Sequence, residues 1–497
     1  MGQEERVTGR NLVTVAYAAV MLLANPASAA SSLPAELTVA SDPTGQTGTY
    51  HTGGAVDRSN PFFLSLGSNG RTCATCHLDT QAMSFTPRHA RELFAASQGS
   101  DPLFSSVDGA NCPGAQATDA SAHSLILGNG LIRIFLPVPQ GAEFAITVVR
   151  DPYGCALKVD PVTGVLTASV YRRPRPATNL SFLSAVMFDG RETVSPLTSP
   201  ATFAANLRAD LVQQAGDAIL THAQGSQLPP DAVLQSIVDF ELGQFSAQIA
   251  DDEAGRLDAR GAYGGPLALA SQRYYPGIND ALGADPQGVP FTPANMSLYA
   301  AWEATVPRGE SEQRARRTDI AAGEALFNSL NITITNVRGL NDSLALNRPT
   351  SFVGHCATCH DAPNVGDHSL PLPLDIGTGH VADLNFESDP AIVEAQRQLR
   401  GANQPLLLIS GCPNPFNAGQ PESFYTTDPG KALITGKCAD FNRVKGPILR
   451  GLAARAPYFH NGAAPSLRAV IEFYNARFQM NLSESEKRQL VAFLESL

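Results

Sequence analysis

Two stretches of the sequence decide the fold: Cys73-Ala-Thr-Cys76-His77 and Cys356-Ala-Thr-Cys359-His360. Both are C-x-x-C-H motifs, the attachment site of c-type haem. The two thiols form thioethers to the vinyl groups of one haem, and the histidine that follows binds the iron as proximal ligand. A redox-active C-x-x-C pair or half of a zinc site is the alternative, but neither needs a histidine directly after both pairs. The sequence therefore predicts two covalently attached haem c groups.

The two motifs divide the chain into two predicted cytochrome c-like domains in a mainly α fold, over residues 30–315 and 316–497. Short β-branched runs between Pro and Gly turns predict a small β insertion in the N-terminal domain at about 124–173. A stretch rich in Gly, Pro and Ala predicts a loop-rich linker at about 250–315. Apolar spacing predicts helices at residues 203–223, 231–248, 318–330 and 466–478, and a capping box at Ser483 predicts a last helix.

The composition excludes two classes of protein. The chain has 497 residues, 43% of them hydrophobic, and a formal net charge of −11. That apolar fraction supplies a packed core and excludes a wholly disordered chain. The net acidity argues against a nucleic-acid-binding protein, because no basic face compensates for repulsion by phosphates.

The first 29 residues have the pattern of a secretory signal peptide. Arg6 and Arg10 precede an apolar run over Leu12–Ala24, and Ala27-Ser28-Ala29 gives a small-x-small cleavage site. An uncleaved membrane anchor remains the alternative. No later segment approaches about 20 apolar residues, so we expect no membrane span in the mature chain. The expected location is the periplasm, an oxidising compartment.

The other four cysteines fall as one pair after each motif. Cys112 and Cys155 follow the first, and Cys412 and Cys438 follow the second. Because disulfides persist in exported proteins, we expect two local disulfides, Cys112–Cys155 and Cys412–Cys438. Free structural thiols are the alternative.

Three further segments carry a resemblance to a known family. They are Asn179–Arg191, which ends in Phe-Asp-Gly-Arg, Asn364-Val-Gly, and Lys445–Arg450 running into Ala456-Pro-Tyr-Phe-His460-Asn-Gly462. With the haem motifs, they resemble the bacterial di-haem cytochrome c peroxidase and MauG superfamily over most of residues 60–497. The resemblance implies that the first haem reacts with hydrogen peroxide and that the second receives electrons or shares oxidising equivalents. The resemblance also implies that the electrons come from a small redox protein or from a partner protein's side chains.

The resemblance also singles out residues at the second haem. The peroxidases have a methionine ligand fourteen positions after the histidine that matches His460, and Tyr474 stands there in this sequence. A tyrosine resembles the MauG branch, and a phenolate lowers the potential of the iron where a thioether raises it. Tyr474 as an ordinary core aromatic is the alternative, and Met480 is a weaker candidate ligand. The resemblance places His460 near the second haem without binding iron, and a direct ligand role stays open.

At the first haem, peroxide chemistry needs a group that moves a proton between the peroxide oxygens. Gln214 fits the position of the family's glutamine, but no glutamate follows at the expected distance. His222 stands nearby, as acid/base, as sixth ligand or as a surface histidine. Met83 and His89 are outside candidates for the same role.

Two departures from the family concern the space between the haems. Phe188 replaces the family's tryptophan, and the single tryptophan of the chain is Trp302. Arg172-Arg-Pro-Arg175 lies where short members hold calcium through an asparagine. An arginine substitutes for the cation electrostatically, so calcium stays open. This arginine run is either a solvated turn or a set of partners for the haem propionates.

These features predict an exported di-haem oxidoreductase that reduces hydrogen peroxide to water. Two alternatives remain. One is a di-haem oxygenase of the rubber-cleaving type, in which the first haem binds dioxygen and an apolar substrate. The other is a non-catalytic di-haem electron carrier with both irons six-coordinate.

Overall fold

The computed structural model describes residues 36–161, 163–303, 312–360, 372–381, 390–413 and 421–497. The predicted signal peptide and the segment Asn364-Val-Gly lie outside these residues. No helix in the described part is long and apolar enough to cross a membrane. From Ala35 onward the chain forms one compact unit, so the boundary at residues 315 and 316 stays a prediction.

Helices and strands are interspersed along the described part of the chain, mostly in runs of two or more of one kind. The helices are α1 (Pro87–Ser97), α2 (Ser124–Asn129), α3 (Phe203–Thr221), α4 (Asp231–Leu242), α5 (Pro266–Ala270), α6 (Ala300–Glu303), α7 (Glu312–Ser329), α8 (Cys356–Cys359), α9 (Pro390–Arg397), α10 (Ala432–Thr435), α11 (Leu467–Arg477) and α12 (Glu484–Glu495). The strands are β1 (Leu37–Asp42), β2 (Gly45–His51), β3 (Ile132–Pro137), β4 (Ala145–Arg150), β5 (Leu157–Val159), β6 (Leu166–Arg172), β7 (Gln244–Asp251), β8 (Gly255–Arg256), β9 (Ile332–Ile334), β10 (Phe352–Gly354), β11 (Leu406–Pro413) and β12 (Pro421–Thr426).

The fold contains more strand than the sequence predicted. Helix accounts for 33% and strand for 17% of the residues, so the description as mainly α is not supported. The strands form sheets in the orders β1-β2-β7-β8, β3-β6-β5, β12-β11-β4 and β10-β9. The predicted helix over 231–248 ends at Leu242, and β7 starts at Gln244 because these residues pair with β2. Tertiary pairing has overridden the local helical pattern there.

The β insertion is not self-contained. Strands β3, β5 and β6 pair with one another, but β4 pairs with β11 from the second half of the chain, with Ile146 opposite Ile409. The predicted linker is also more ordered than expected, since it contains β8, α5 and α6. Its Trp302 is buried against Tyr299, with ring centroids 4.9 Å apart.

Two apolar cores support the two motifs. Helices α3 and α4 contribute Leu211 and Ile237 to a core against which Cys73 packs. Helices α7, α11 and α12 form a second core, which includes Phe493 and the Ala357 of the second motif. Each motif therefore lies against a core of its own.

Both expected disulfides form. Cys112 is bonded to Cys155, and Cys412 is bonded to Cys438. The first closes the insertion in front of β5, and the second ties β11 to the segment after α10. The four motif cysteines take no part in either disulfide.

Candidate haem sites

The first motif presents its histidine to a cavity. The turn Cys73–Thr75 starts at Thr72, whose N–H donates to Thr75 Oγ1 at 3.0 Å. Nδ1 of His77 lies 3.1 Å from the carbonyl of Met83, so Nδ1 carries the proton and Nε2 keeps its lone pair. Burial lowers the pKa of His77 to about 4, which keeps the imidazole neutral at pH 7. A neutral imidazole with a fixed tautomer suits a metal ligand.

A cavity lies beside this motif. It measures about 1320 Å³, which includes space open to solvent. Cys73, Cys76 and His77 line one part of it. Gln214 and His222 from α3 and its C-terminal end also line it, so the predicted polar residues meet the predicted proximal histidine. Met83 and His89 are absent from the lining.

His222 has a partner that the sequence did not predict. Its Nδ1 is hydrogen-bonded to Oδ2 of Asp108, and Oδ1 of Asp108 accepts from Arg71 NH1. Burial disfavours the ionised carboxyl, but the Arg71 guanidinium and His222 outweigh burial and hold the pKa of Asp108 below its ordinary value. No sequence signal marked Asp108, because it lies 114 positions from His222.

A second carboxyl that sequence reasoning missed is Glu241. It lies on α4, lines the first cavity, and its Oε2 has no hydrogen-bond partner in the described part of the chain. Burial raises its pKa to about 8, so the side chain is protonated at pH 7. No glutamate follows Gln214 at the expected distance in the sequence, but Glu241 places a glutamate in the cavity.

The second motif lies in a larger cavity of about 1850 Å³. Cys356–Cys359 form α8, and the His360 N–H donates to Cys356 O at 3.0 Å. Tyr474 and His460 line the same cavity, and so does Met480. The sequence predictions for the second haem therefore converge on one space.

Tyr474 and His460 differ in their surroundings. Burial raises the pKa of Tyr474 above its ordinary value, and its ring lies 6.1 Å from that of Phe478. His460 is 4% exposed, and neither of its ring nitrogens has a hydrogen-bond partner in the described residues. Its Nε2 lies 3.7 Å from Asp428 Oδ2, and burial lowers its pKa to about 4. An unpartnered neutral imidazole is a capable metal ligand, so both side chains remain candidates.

The arginine run separates the two cavities and is not a solvated turn. Residues 173–176 and Phe188 line both cavities. Arg172 and Arg173 are 2% and 6% exposed. The Phe188 ring lies 5.0 Å from the Arg175 guanidinium and 6.1 Å from the ring of His460. Phe188 thus stands between the two sites, where the family has tryptophan.

Arg172 joins the two halves of the chain. It donates from NH1 to Asp189 Oδ2 at 2.5 Å, and from Nε and NH2 to the two oxygens of Asp428 at 2.6 and 2.9 Å. Nearby, Lys445 N donates to Phe188 O at 2.7 Å. Within the described residues, no group of three or more His, Cys, Asp or Glu side chains is placed to hold a metal ion.

Buried positive charge at the cavities fits an anionic cofactor. Arg173 donates to the carbonyls of Gly130 and Phe85 at 2.8 and 2.6 Å, and Arg455 donates to the carbonyls of Arg450 and Ile448. Burial and the neighbouring arginine lower the pKa of Arg173 to about 9, and burial lowers that of Arg455 to about 10. Such charge favours an anion in the cavity, and the propionates of haem supply one. The motif thiols and histidines, together with these buried arginines, are the groups needed to hold haem c and its propionates.

Comparison with known proteins gives partial matches. Residues 445–480 match a protein-family model described as RoxA-like, cytochrome c-like. A cytochrome-c peroxidase, IdrP2, of Denitromonas iodatirespirans is 33% identical over 156 residues, which are 29% of this chain and 36% of that protein. The cytochrome c551 peroxidase of Nitrosomonas europaea is 33% identical over 117 residues, 20% of this chain and 34% of that protein. The resemblance to the di-haem cytochrome c peroxidase and MauG superfamily is confirmed.

These matches imply covalently bound haem c. The chain spans only about a third of the length of the peroxidases it matches. A solved MauG-like protein associated with microbial copper homeostasis is 16% identical, with 69% of this chain and 79% of that chain covered at a TM-score of 0.28. At that score the structural likeness carries no further argument.

Proposed function

We propose that the chain is an exported, periplasmic di-haem oxidoreductase that reduces hydrogen peroxide to water. The observation that carries the proposal is the lining of the first cavity. His77, Gln214 and the His222–Asp108 pair share it, so a proximal ligand and proton-handling groups face one space. The peroxidase relatives support the same reaction class.

Each motif has residues suited to hold one haem. In the first cavity, Cys73 and Cys76 would form thioethers to the haem and His77 would bind its iron. In the second, Cys356, Cys359 and His360 would hold the other haem in the same way, with Tyr474 or His460 as a candidate for a further ligand. The bound haems supply iron for electron transfer. Gln214 offers amide N–H donors to orient peroxide, and His222 offers a nitrogen that accepts and returns a proton.

The overall reaction consumes two electrons and two protons for each peroxide and yields two waters. A small redox protein, or side chains of a partner protein that become oxidised in the reaction, would supply the electrons. Phe188 and residues 173–176 line both cavities and so lie between them. Because phenylalanine is hard to oxidise, this part of the chain would separate the sites without itself becoming a radical.

The optical spectrum of the haem-loaded protein tests the proposal. We expect a high-spin ferric band that shifts on addition of one equivalent of hydrogen peroxide. Gln214→Ala should slow that shift, whereas Gln213→Ala, on the exposed face of the same helix, should not. Two low-spin haems whose spectra do not change with peroxide in any redox state would overturn the proposal and favour an electron-transfer cytochrome.

A di-haem oxygenase of the rubber-cleaving type is the second candidate. Its support is the apolar wall of the first cavity, which includes Leu180, Leu183 and Ile237. Such a wall suits an apolar substrate beside dioxygen. Oxygen uptake with a polyisoprene emulsion and without peroxide would favour this candidate, and no uptake would remove it.

A further inference from the structure

Three charged or ionisable side chains form a cluster at the edge of the first cavity. Arg71, Asp108 and His222 all line it, and the first two are buried. Arg71 also donates to the carbonyls of Pro102 and Leu103, each at 2.7 Å. Its guanidinium is therefore fixed, and it holds the Asp108 carboxylate in one place.

The position of Asp108 determines the tautomer of His222. An ionised carboxylate only accepts hydrogen bonds, so Nδ1 of His222 must donate to it. The proton of the neutral ring is then on Nδ1, and Nε2 keeps a lone pair. Nε2 has no hydrogen-bond partner in the described part of the chain, and the ring lines the cavity that His77 also lines.

The β insertion holds Asp108 in place. The Arg133 N–H, on β3, donates to the Asp108 carbonyl at 2.8 Å, and Arg133 NH2 donates to Val107 O at 2.6 Å. The disulfide from Cys112 to Cys155 closes the same loop a few residues further on. The insertion thus fixes the backbone that presents the carboxylate.

We infer that Asp108 is a positioning residue that makes His222 a proton acceptor at the first haem, and that the insertion exists in part to hold it. The inference rests on the proposed function. Nε2 would take the proton from hydrogen peroxide as the peroxide binds and return it to the outer oxygen. That oxygen leaves as water when the O–O bond breaks, and two electrons from the donor together with two protons from solvent convert the other oxygen into the second water.

A double-substitution cycle tests the inference in the haem-loaded protein. Asp108→Asn removes the charge and lets the amide donate to the ring, which reverses the tautomer. It should slow the reaction with peroxide about 100-fold, as expected for loss of one acid/base group. His222→Gly should cost at least as much. Because Asp108 acts through His222, Asp108→Asn should cost nothing more in the His222→Gly background.

A second readout separates positioning from peroxide reduction. Hydrogen cyanide also loses a proton when it binds ferric iron, so an optical cyanide titration reports on the same acceptor. If the two substitutions are non-additive in the cyanide titration but the protein does not react with peroxide, the positioning role is retained and the proposed function is overturned. A further loss of similar size in the His222→Gly background, for both readouts, would overturn the positioning role.

Two variants guard against loss of folding. Asp151→Asn is the matched control, because Asp151 accepts backbone N–H bonds from Tyr153, Gly154 and Ala156 in the same insertion but does not line the cavity. It should leave both readouts unchanged. If Asp108→Asn does not fold, the cycle is run with Arg71→Met added throughout, which removes both charges of the buried pair. The same non-additivity is expected there, and additive losses would contradict the inference.

Discussion

Replacing Arg172 by methionine should lower the free energy of unfolding by about 3–5 kcal/mol, the usual cost of leaving a buried charge without its partner. Arg172, Asp189 and Asp428 are each at most 2% exposed in their side chains. Without Arg172, Asp189 keeps Arg191 NH1 at 3.2 Å. Within the described residues, the Asp428 carboxylate keeps only the Gly430 N–H at 2.9 Å and the more distant His460, so it bears most of the cost.

The loss of stability in Arg172→Met should depend on pH, in a direction fixed by the pKa shifts of Asp189 and Asp428. Burial opposes ionisation of Asp189, but Arg172 and Arg191 outweigh it and lower its pKa from 3.8 to about 2. The ionised carboxylate therefore stabilises the native state above pH 3.8, and this stability is lost as the pH falls towards 2. A shift of that size is worth about 2–3 kcal/mol. Arg172→Met should raise the pKa of Asp189 and Asp428, so the variant should lose stability at a higher pH than the native protein.

Urea unfolding followed by circular dichroism at pH 7 and pH 3 measures both effects. The difference from the native protein should be largest at pH 7 and smaller at pH 3, where the carboxyls accept protons. Arg208→Met is the control, because its ion pair with Asp239 is exposed and should cost less than about 1 kcal/mol. An Arg172→Met variant within 1 kcal/mol of the native protein at pH 7 would refute the reasoning.

Three further substitutions give distinct outcomes. Tyr474→Phe should change the absorption of the second haem only, and an unchanged spectrum would exclude Tyr474 as ligand and leave His460 and Met480. Cys412→Ser with Cys438→Ser should lower the free energy of unfolding in urea by about 2–4 kcal/mol, and a loss below 1 kcal/mol would contradict a stabilising role. Glu241→Gln should flatten the pH dependence of the melting temperature. The pKa of Glu241 is raised from 4.5 to about 8, so the native protein loses stability as the pH rises through that range. An unaltered slope between pH 5 and 8 would show that Glu241 does not titrate there.

The local features of the chain were predictable from its sequence. The capping box at Ser483 starts α12, with the Glu486 N–H donating to Ser483 Oγ at 3.3 Å. Helix α11 lies within one residue of the predicted bounds, and both disulfides pair as expected. These features depend on residues close in the chain, where spacing and side-chain type decide the structure.

The features that the sequence did not predict depend on residues far apart in the chain. Residues 244–248 end the predicted helix but belong to strand β7, since β2 offers its hydrogen-bonding edge. Asp108 and Glu241 join the first cavity from segments that no motif marks. Polar residues of this kind gain their role only from burial and from the groups that face them, which a single sequence does not reveal.

The pairing of β4 with β11 has a consequence for the order of folding. Arg150 lies opposite Leu406, so roughly 250 residues must be made between the two strands. Contacts this far apart in sequence form slowly, because a long loop must close before they stabilise anything. The β4 edge of the first half therefore stays unpaired with β11 until the second half has been synthesised. That interval is an opportunity to attach a cofactor to Cys73 and Cys76 before the cavity around them closes.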